Sequence, residues 1–214
     1  MQWRRFAVLF AFLILEVAGA LAQKADVGLV FGASVTSDAK GSFSCPLGVP
    51  CIQSQPTTER FKTGHQFFFQ GVGAYRLKDA KAASLYIELP VAGIPSQRVT
   101  LTNFTGTIEH VTTTFVTPSL RLKLLPIAPF SPFVSLGAGW ARYAISQVIE
   151  NKGVLQYGGG VDVKTLFPHI ALRFEVRDFL TGDPGFIHVN TFISGQGGLH
   201  HHNVLPGGGV VFSF

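Results

Sequence analysis

Charge is scarce in this chain of 214 residues. Asp, Glu, Lys and Arg make up 14% of it, and no basic run exceeds the pair Arg4-Arg5. A nucleic-acid binder concentrates lysine and arginine on one face, so no nucleic acid is expected as a partner despite the formal net charge of +5. Cysteine is nearly absent as well. Cys45 and Cys51 alone cannot build a multiply bridged mini-scaffold, and they fall short of the four ligands of a structural zinc site. Long apolar runs are also missing. The longest, Phe6 to Leu15, is only about half of the roughly 20 residues a bilayer-crossing helix needs. Capped stretches of helical period are hard to find, which argues against a mainly helical fold.

That apolar run follows Arg4-Arg5 and precedes the small residues Ala18 to Ala22, where Ala20-Leu21-Ala22 has the form of a cleavage site. Residues 1–22 therefore read as a secretory signal peptide, and residues 23–214 as one mature domain. In the oxidising compartment to which such a segment sends a chain, Cys45 and Cys51 are expected to form a disulfide closing a small loop.

What the chain does have is alternation. "DVGLVFGASV" places Val27, Leu29, Phe31, Ala33 and Val35 on one face and Asp26, Gly28, Val30, Gly32 and Ser34 on the other, which predicts a strand with two unlike sides. Seven more segments behave alike: roughly 66–77, 82–91, 111–124, 132–143, 154–164, 169–179 and 204–214. Period two sets Leu172, Phe174 and Val176 against Arg173, Glu175 and Arg177, and Leu120 and Leu122 against Arg121 and Lys123. Asp26, Arg76, Glu88, Arg121, Lys123, Asp162, Lys164, Arg173, Glu175 and Arg177 all fall on the polar face. Only Arg142 and Asp178 fall in the apolar register, both at strand ends.

A soluble lipocalin-type barrel would bury the apolar face, whereas an outer-membrane barrel turns it toward lipid. Glycine distinguishes them. Gly28, Gly32, Gly137, Gly139, Gly158, Gly160, Gly207 and Gly209 share the polar face with the arginines and lysines, as a narrow interior of interleaved large and small residues requires. The connections agree. Short links such as "KDAK", "LPIAPFS" and "TLFP" alternate with long ones: about 30 residues from Thr36 to His65, 20 from Ala92 to His110, 10 near Ser146 to Gly153 and 25 from Leu180 to Asn203. Periplasmic turns alternate with extracellular loops in this way. Pro118 and Pro206 each remove a ladder hydrogen bond, and a bulge at either would flip the faces beyond it.

The chain ends "GGGVVFSF", with Val210, Phe212 and Phe214 at alternate positions. In this it resembles the small eight-stranded outer-membrane barrels of Gram-negative bacteria, the OmpA, OmpX and OmpW superfamily. The resemblance implies an all-β, eight-stranded antiparallel up-and-down transmembrane barrel embedded in outer-membrane lipid. It also implies recognition of the last strand, through Val210, Phe212 and Phe214, by the barrel-assembly machinery. Unlike OmpA, no peptidoglycan-binding domain is expected after that strand.

The expected role is structural or surface-interacting, with a polar, salt-bridged plug in the lumen and an unknown ligand at four extracellular loops. Eight strands leave an interior only wide enough for side chains, and six bases with four acids packed there must pair. A small porin with a basic lumen is the alternative. A lipid A-modifying enzyme is a weaker one, for which His188, Ser194 and Asp183 would be nominated. Neither cofactor nor metal is called for. His200, His201 and His202 are consecutive and cannot all reach one ion from a strand, and the glycine-rich phrases continue neither as GxGxxG nor as a P-loop.

Overall fold

The structure, a computed structural model, describes residues 24–36, 39–42, 58–63, 65–101, 108–145, 148–182 and 199–214. Every element among them is a strand: β1 (Ala25–Thr36), β2 (Ala39–Ser42), β3 (Thr58–Thr63), β4 (Gln66–Asp79), β5 (Ala83–Leu101), β6 (Ile108–Val116), β7 (Ser119–Leu124), β8 (Phe130–Ile145), β9 (Val148–Lys164), β10 (Ile170–Gly182) and β11 (Leu199–Ser213). All pairings are antiparallel, and β1 pairs with β11, so the sheet closes on itself. β6 and β7 together form one stave, since both lie between β5 and β8. The wall therefore has eight staves, and β2 and β3 add a small hairpin against the end of β5.

The register fixes the girth of the barrel. From Asp26, the facing residues run through Ala74, Glu88, Ser119, Gly137, Gln156 and Phe179 to Asn203. Asp26 also faces Ser213 directly across the closing seam. One circuit thus displaces the chain from 213 to 203, a stagger of ten residues. Closure with stagger forces the strands to tilt by about 35–45°, and with eight of them the interior is narrow.

Neither proline shifts the faces. Around Pro118 the ladder is bridged by Thr117 N–H to Pro90 O and Ala138 N–H to Pro118 O, both at 3.2 Å, while Phe115, Thr117, Ser119 and Arg121 all stay inside. Across Pro206 the β1–β11 ladder skips two residue pairs and resumes in the same register, with Gly32 facing Gly207 and Val35 facing Val204.

The faces match period two through most of each stave, interrupted by irregularities in the register at 76–78, 94–97 and 181–182, the second of which leaves Ile94 and Gln97 both inward. Leu29, Leu136 and Phe174 are 52, 61 and 55% exposed, whereas Arg121 and Arg173 are fully buried. No folded domain leaves such a ring of apolar side chains in water, so the outward face is the lipid face of a transmembrane barrel. Tyr75, Phe130, Phe212 and Phe214 mark its short-turn end, and Phe67, Phe69 and Trp140 the other. These belts are where aromatic rings sit at membrane interfaces.

The inward glycines do more than make room. A Cβ on Gly209 would stand 1.9 Å from the carbonyl oxygen of Leu29, and one on Gly139 would stand 2.0 Å from that of Val116. Neighbouring staves curve so sharply there that only hydrogen fits on the concave side.

The long connections are shorter than their sequence predicts. The stretch read as a loop from Ser146 to Gly153 is mostly strand, because β8 and β9 pair up to Ile145 and Val148. β5, β10 and β11 likewise continue past 91, through 182 and from 199. Above the lipid the outward face no longer needs to be apolar, so alternation fades while the ladder continues.

Candidate functional site

The lower half of the lumen holds one continuous chain of charge. Asp26 on β1 accepts from Arg121 Nη2 at 2.6 Å, and Arg121 Nη1 lies 3.6 Å from Glu88 on β5. Glu88 takes Arg177 of β10 at 2.7 Å. Arg177 also donates to both oxygens of Glu175, from Nε at 2.9 Å and Nη2 at 3.1 Å. Glu175 lies 4.0 Å from Arg173, which holds Asp162 of β9 through two bonds of 2.7 and 3.0 Å. Lys123 ends the chain with 2.8 Å to Asp162. Signs alternate at every step across five staves, and four bases meet four acids.

This arrangement follows from strand geometry. Residues 173, 175 and 177 project inward from one strand as a base–acid–base row, and acids from β5 and β9 and bases from β7 fill the gaps between them. Guanidinium planes also lie over rings: Arg121 is 4.4 Å from the centre of Tyr86, and Arg173 is 4.7 Å from that of Phe133. Gln70 Nε2 donates to Glu175 Oε1, and Ser119 Oγ donates to Glu88 at 3.1 Å. Isolated buried charges would each cost several kcal/mol, which the pairing offsets, although Arg121 Nε and Nη1, Glu88 Oε2 and Arg173 Nη1 make no hydrogen bond among the described residues.

Two of the ten predicted luminal charges lie apart from the chain. Lys164 is exposed at the short-turn mouth and donates to the carbonyl of Ile127 at 2.7 Å. Arg76 is half-buried at the same mouth and pairs with Asp79 at 3.1 Å. Lys164 ends β9 and Arg76 lies three residues from the end of β4, both beside the mouth of the lumen.

Above the charges, toward the loop end, an apolar cluster fills much of the lumen. Phe68, Phe115, Phe179, Ile94 and Leu205 are each no more than 1% exposed and form one cluster. Phe115 and Phe179 stack at 4.6 Å, and Tyr143 meets Phe115 edge-on and shares a 2.8 Å hydrogen bond with Thr181. The lumen thus has two tiers: the charged one below, and an upper one in which aromatic rings pack beside buried polar residues such as Thr36, Gln97 and Asn203. The sequence carried the signal, since Phe68, Phe115, Phe179 and Leu205 all occupy polar-face positions.

The outward wall also carries a polar cluster that the sequence did not reveal. Asp178 faces outward and accepts from Tyr157 Oη at 2.6 Å, with His202 Nδ1 also 2.6 Å away, tying β9, β10 and β11 together. Arg142 is exposed just above Trp140, where a long side chain reaches the polar edge of the lipid.

At the chain's end, Val210, Phe212 and Phe214 face outward, and Phe214 N–H donates to Ala25 O at 2.9 Å, closing the seam to its last residue. Cys45, Cys51, the signal segment, Asp183, His188 and Ser194 lie outside the described residues. Among the described residues, no three of His, Cys, Asp and Glu are placed to hold a metal ion.

No family model matches the sequence, and no curated protein matches it either. Solved structures do resemble the fold. Neisserial surface protein A superposes with a TM-score of 0.58 at 12% identity, covering 89% of this chain and 97% of that one. The outer membrane protein OprG from Pseudomonas aeruginosa gives 0.54 at 13%, covering 90% and 97%. The outer membrane protein AlkL gives 0.50 at 13%, covering 90% and 91%. With closure, stagger, an outward apolar band and these likenesses in agreement, the chain has the fold of the small eight-stranded outer-membrane barrels.

Proposed function

We propose that this protein is an integral component of a bacterial outer membrane, that its lumen is closed to solutes, and that its work is structural or done at its exposed end. The two-tier plug carries the reading. A passage would have to break both an eight-member charge chain and the aromatic layer above it. A porin with a basic lumen needs unmatched bases along its path, and the luminal chain instead balances four against four. The exposed end also has substance. β8 and β9 run 16 and 17 residues, roughly six more than the 9–11 that cross a bilayer as a tilted strand. The wall thus stands above the lipid and offers a stiff surface for a partner. The solved structures it resembles include a neisserial surface protein, which fits such a role.

Fractionation tests the placement. Expressed in a Gram-negative host, the protein should enter the outer-membrane fraction and migrate differently on gels with and without boiling. Recovery as a soluble periplasmic species would refute the proposal.

A further inference from the structure

Below the charge chain, at the short-turn end, the lumen opens into a cavity of about 310 Å³ roofed in part by the turns at 125–129 and 165–169. Its walls are of two kinds. Arg76, Lys123 and Lys164 supply basic groups to the lining, and Pro126, Phe167 and Ile170 supply apolar ones. Two carboxylates also line it, Asp26 and Asp162, but both are already held from the deep side, by Arg121 at 2.6 Å and Arg173 at 2.7 Å. The eight-member chain is neutral as a unit, and Arg76 has Asp79. Lys164 has no carboxylate within ion-pair distance among the described residues. Its ammonium spends one donor on the Ile127 carbonyl, and two remain for another acceptor. The hydroxyl-bearing residues Tyr86 and Thr165 line the same space.

We propose that this vestibule binds a small organic anion, a phosphate or carboxylate carried on a partly apolar group, with Lys164 as its principal charged contact. The volume is at the low end for ligand pockets, which limits the occupant to a small molecule or a single headgroup. The apolar lining residues account for the organic part, and the surplus ammonium for the sign. A phospholipid headgroup and a soluble phosphate ester share this chemistry.

The test uses full-length mature protein refolded into phosphatidylcholine nanodiscs, titrated calorimetrically with phenyl phosphate and, as the cationic control, benzyltrimethylammonium. Saturable binding of the phosphate alone is expected. Lys164→Gln should weaken it by about tenfold to a hundredfold, the scale of one lost charge-assisted hydrogen bond. Lys164→Arg should retain most of it, and Arg142→Gln at the opposite end should change nothing. Lys164 is exposed and outside the buried chain, so thermal unfolding should be the same in all variants. Repeating the titration with phosphatidylglycerol in the discs separates the sources: competition assigns the site to a headgroup, and its absence to a soluble anion. No saturable phosphate binding at millimolar concentration, or equal binding by Lys164→Gln, would overturn the proposal.

Discussion

Replacing Glu175 by Ala cuts the luminal chain at its middle. Glu175 supplies both oxygens to Arg177, accepts from Gln70 and lies within 4.0 Å of Arg173. Without it Arg177 keeps only Glu88, Arg173 keeps only Asp162, and two guanidiniums face each other with no carboxylate between them. Gln70 loses the acceptor for its amide nitrogen, and its own oxygen already lacks a partner among the described residues. Breaking a buried pair from one side costs about 3 to 5 kcal/mol, and the stranded amide places Glu175→Ala in the upper part of that range. On a face turned to water the same change would remove a surface pair worth about 0 to 1 kcal/mol. The assay is urea unfolding in lipid vesicles, followed by Trp140, the single tryptophan beyond residue 22. A loss under about 1 kcal/mol would refute the burial of this network.

Phe174→Arg tests the opposite face of the same strand: a base in the middle of the outward apolar run should cost about 2 to 4 kcal/mol in the same assay, and a neutral result would place that face in water. Deleting Phe214 should impair assembly in cells far more than refolding in detergent, since burial of one Phe is worth only about 1.5 to 3 kcal/mol; equal losses would assign the ring to packing alone. Cys45 and Cys51 should resist thiol labelling until reduced, the bridge contributing on the order of 2 kcal/mol for so short a loop; free thiols in envelope-derived protein would refute it.

Most of the wall was legible in the sequence because lipid imposes a strict rule. Val27 to Val35 or Leu172 to Val176 must be apolar at every second position, while polar and charged residues are confined to the positions between, so register can be read residue by residue. Even Pro118 and Pro206 leave that pattern intact, since the ladder resumes in phase beyond each. The rule lapses where lipid ends. Residues 92–101 and 148–153 are strand without an apolar face, and alternation alone could not find them. The interior was legible in sign and not in layering. Arg173, Glu175 and Arg177 announce pairing among themselves, but that Glu88 completes Arg177 depends on a stagger of ten residues, which no single strand encodes. Phe115 and Phe179 stand 64 positions apart and meet only through the closed barrel. The outward Asp178 is intelligible only once Tyr157 and His202 are seen on the adjoining staves.

Single-channel recording across a planar bilayer tests the proposed closure of the lumen most directly. Refolded protein, its insertion verified by the heat-dependent shift on gels, should show no unitary current steps over the unmodified bilayer, because the charge chain and the Phe68–Phe115–Phe179 layer block the path in series. Steady unitary openings of the unmodified protein, changed in size by Arg121→Gln, would contradict the account.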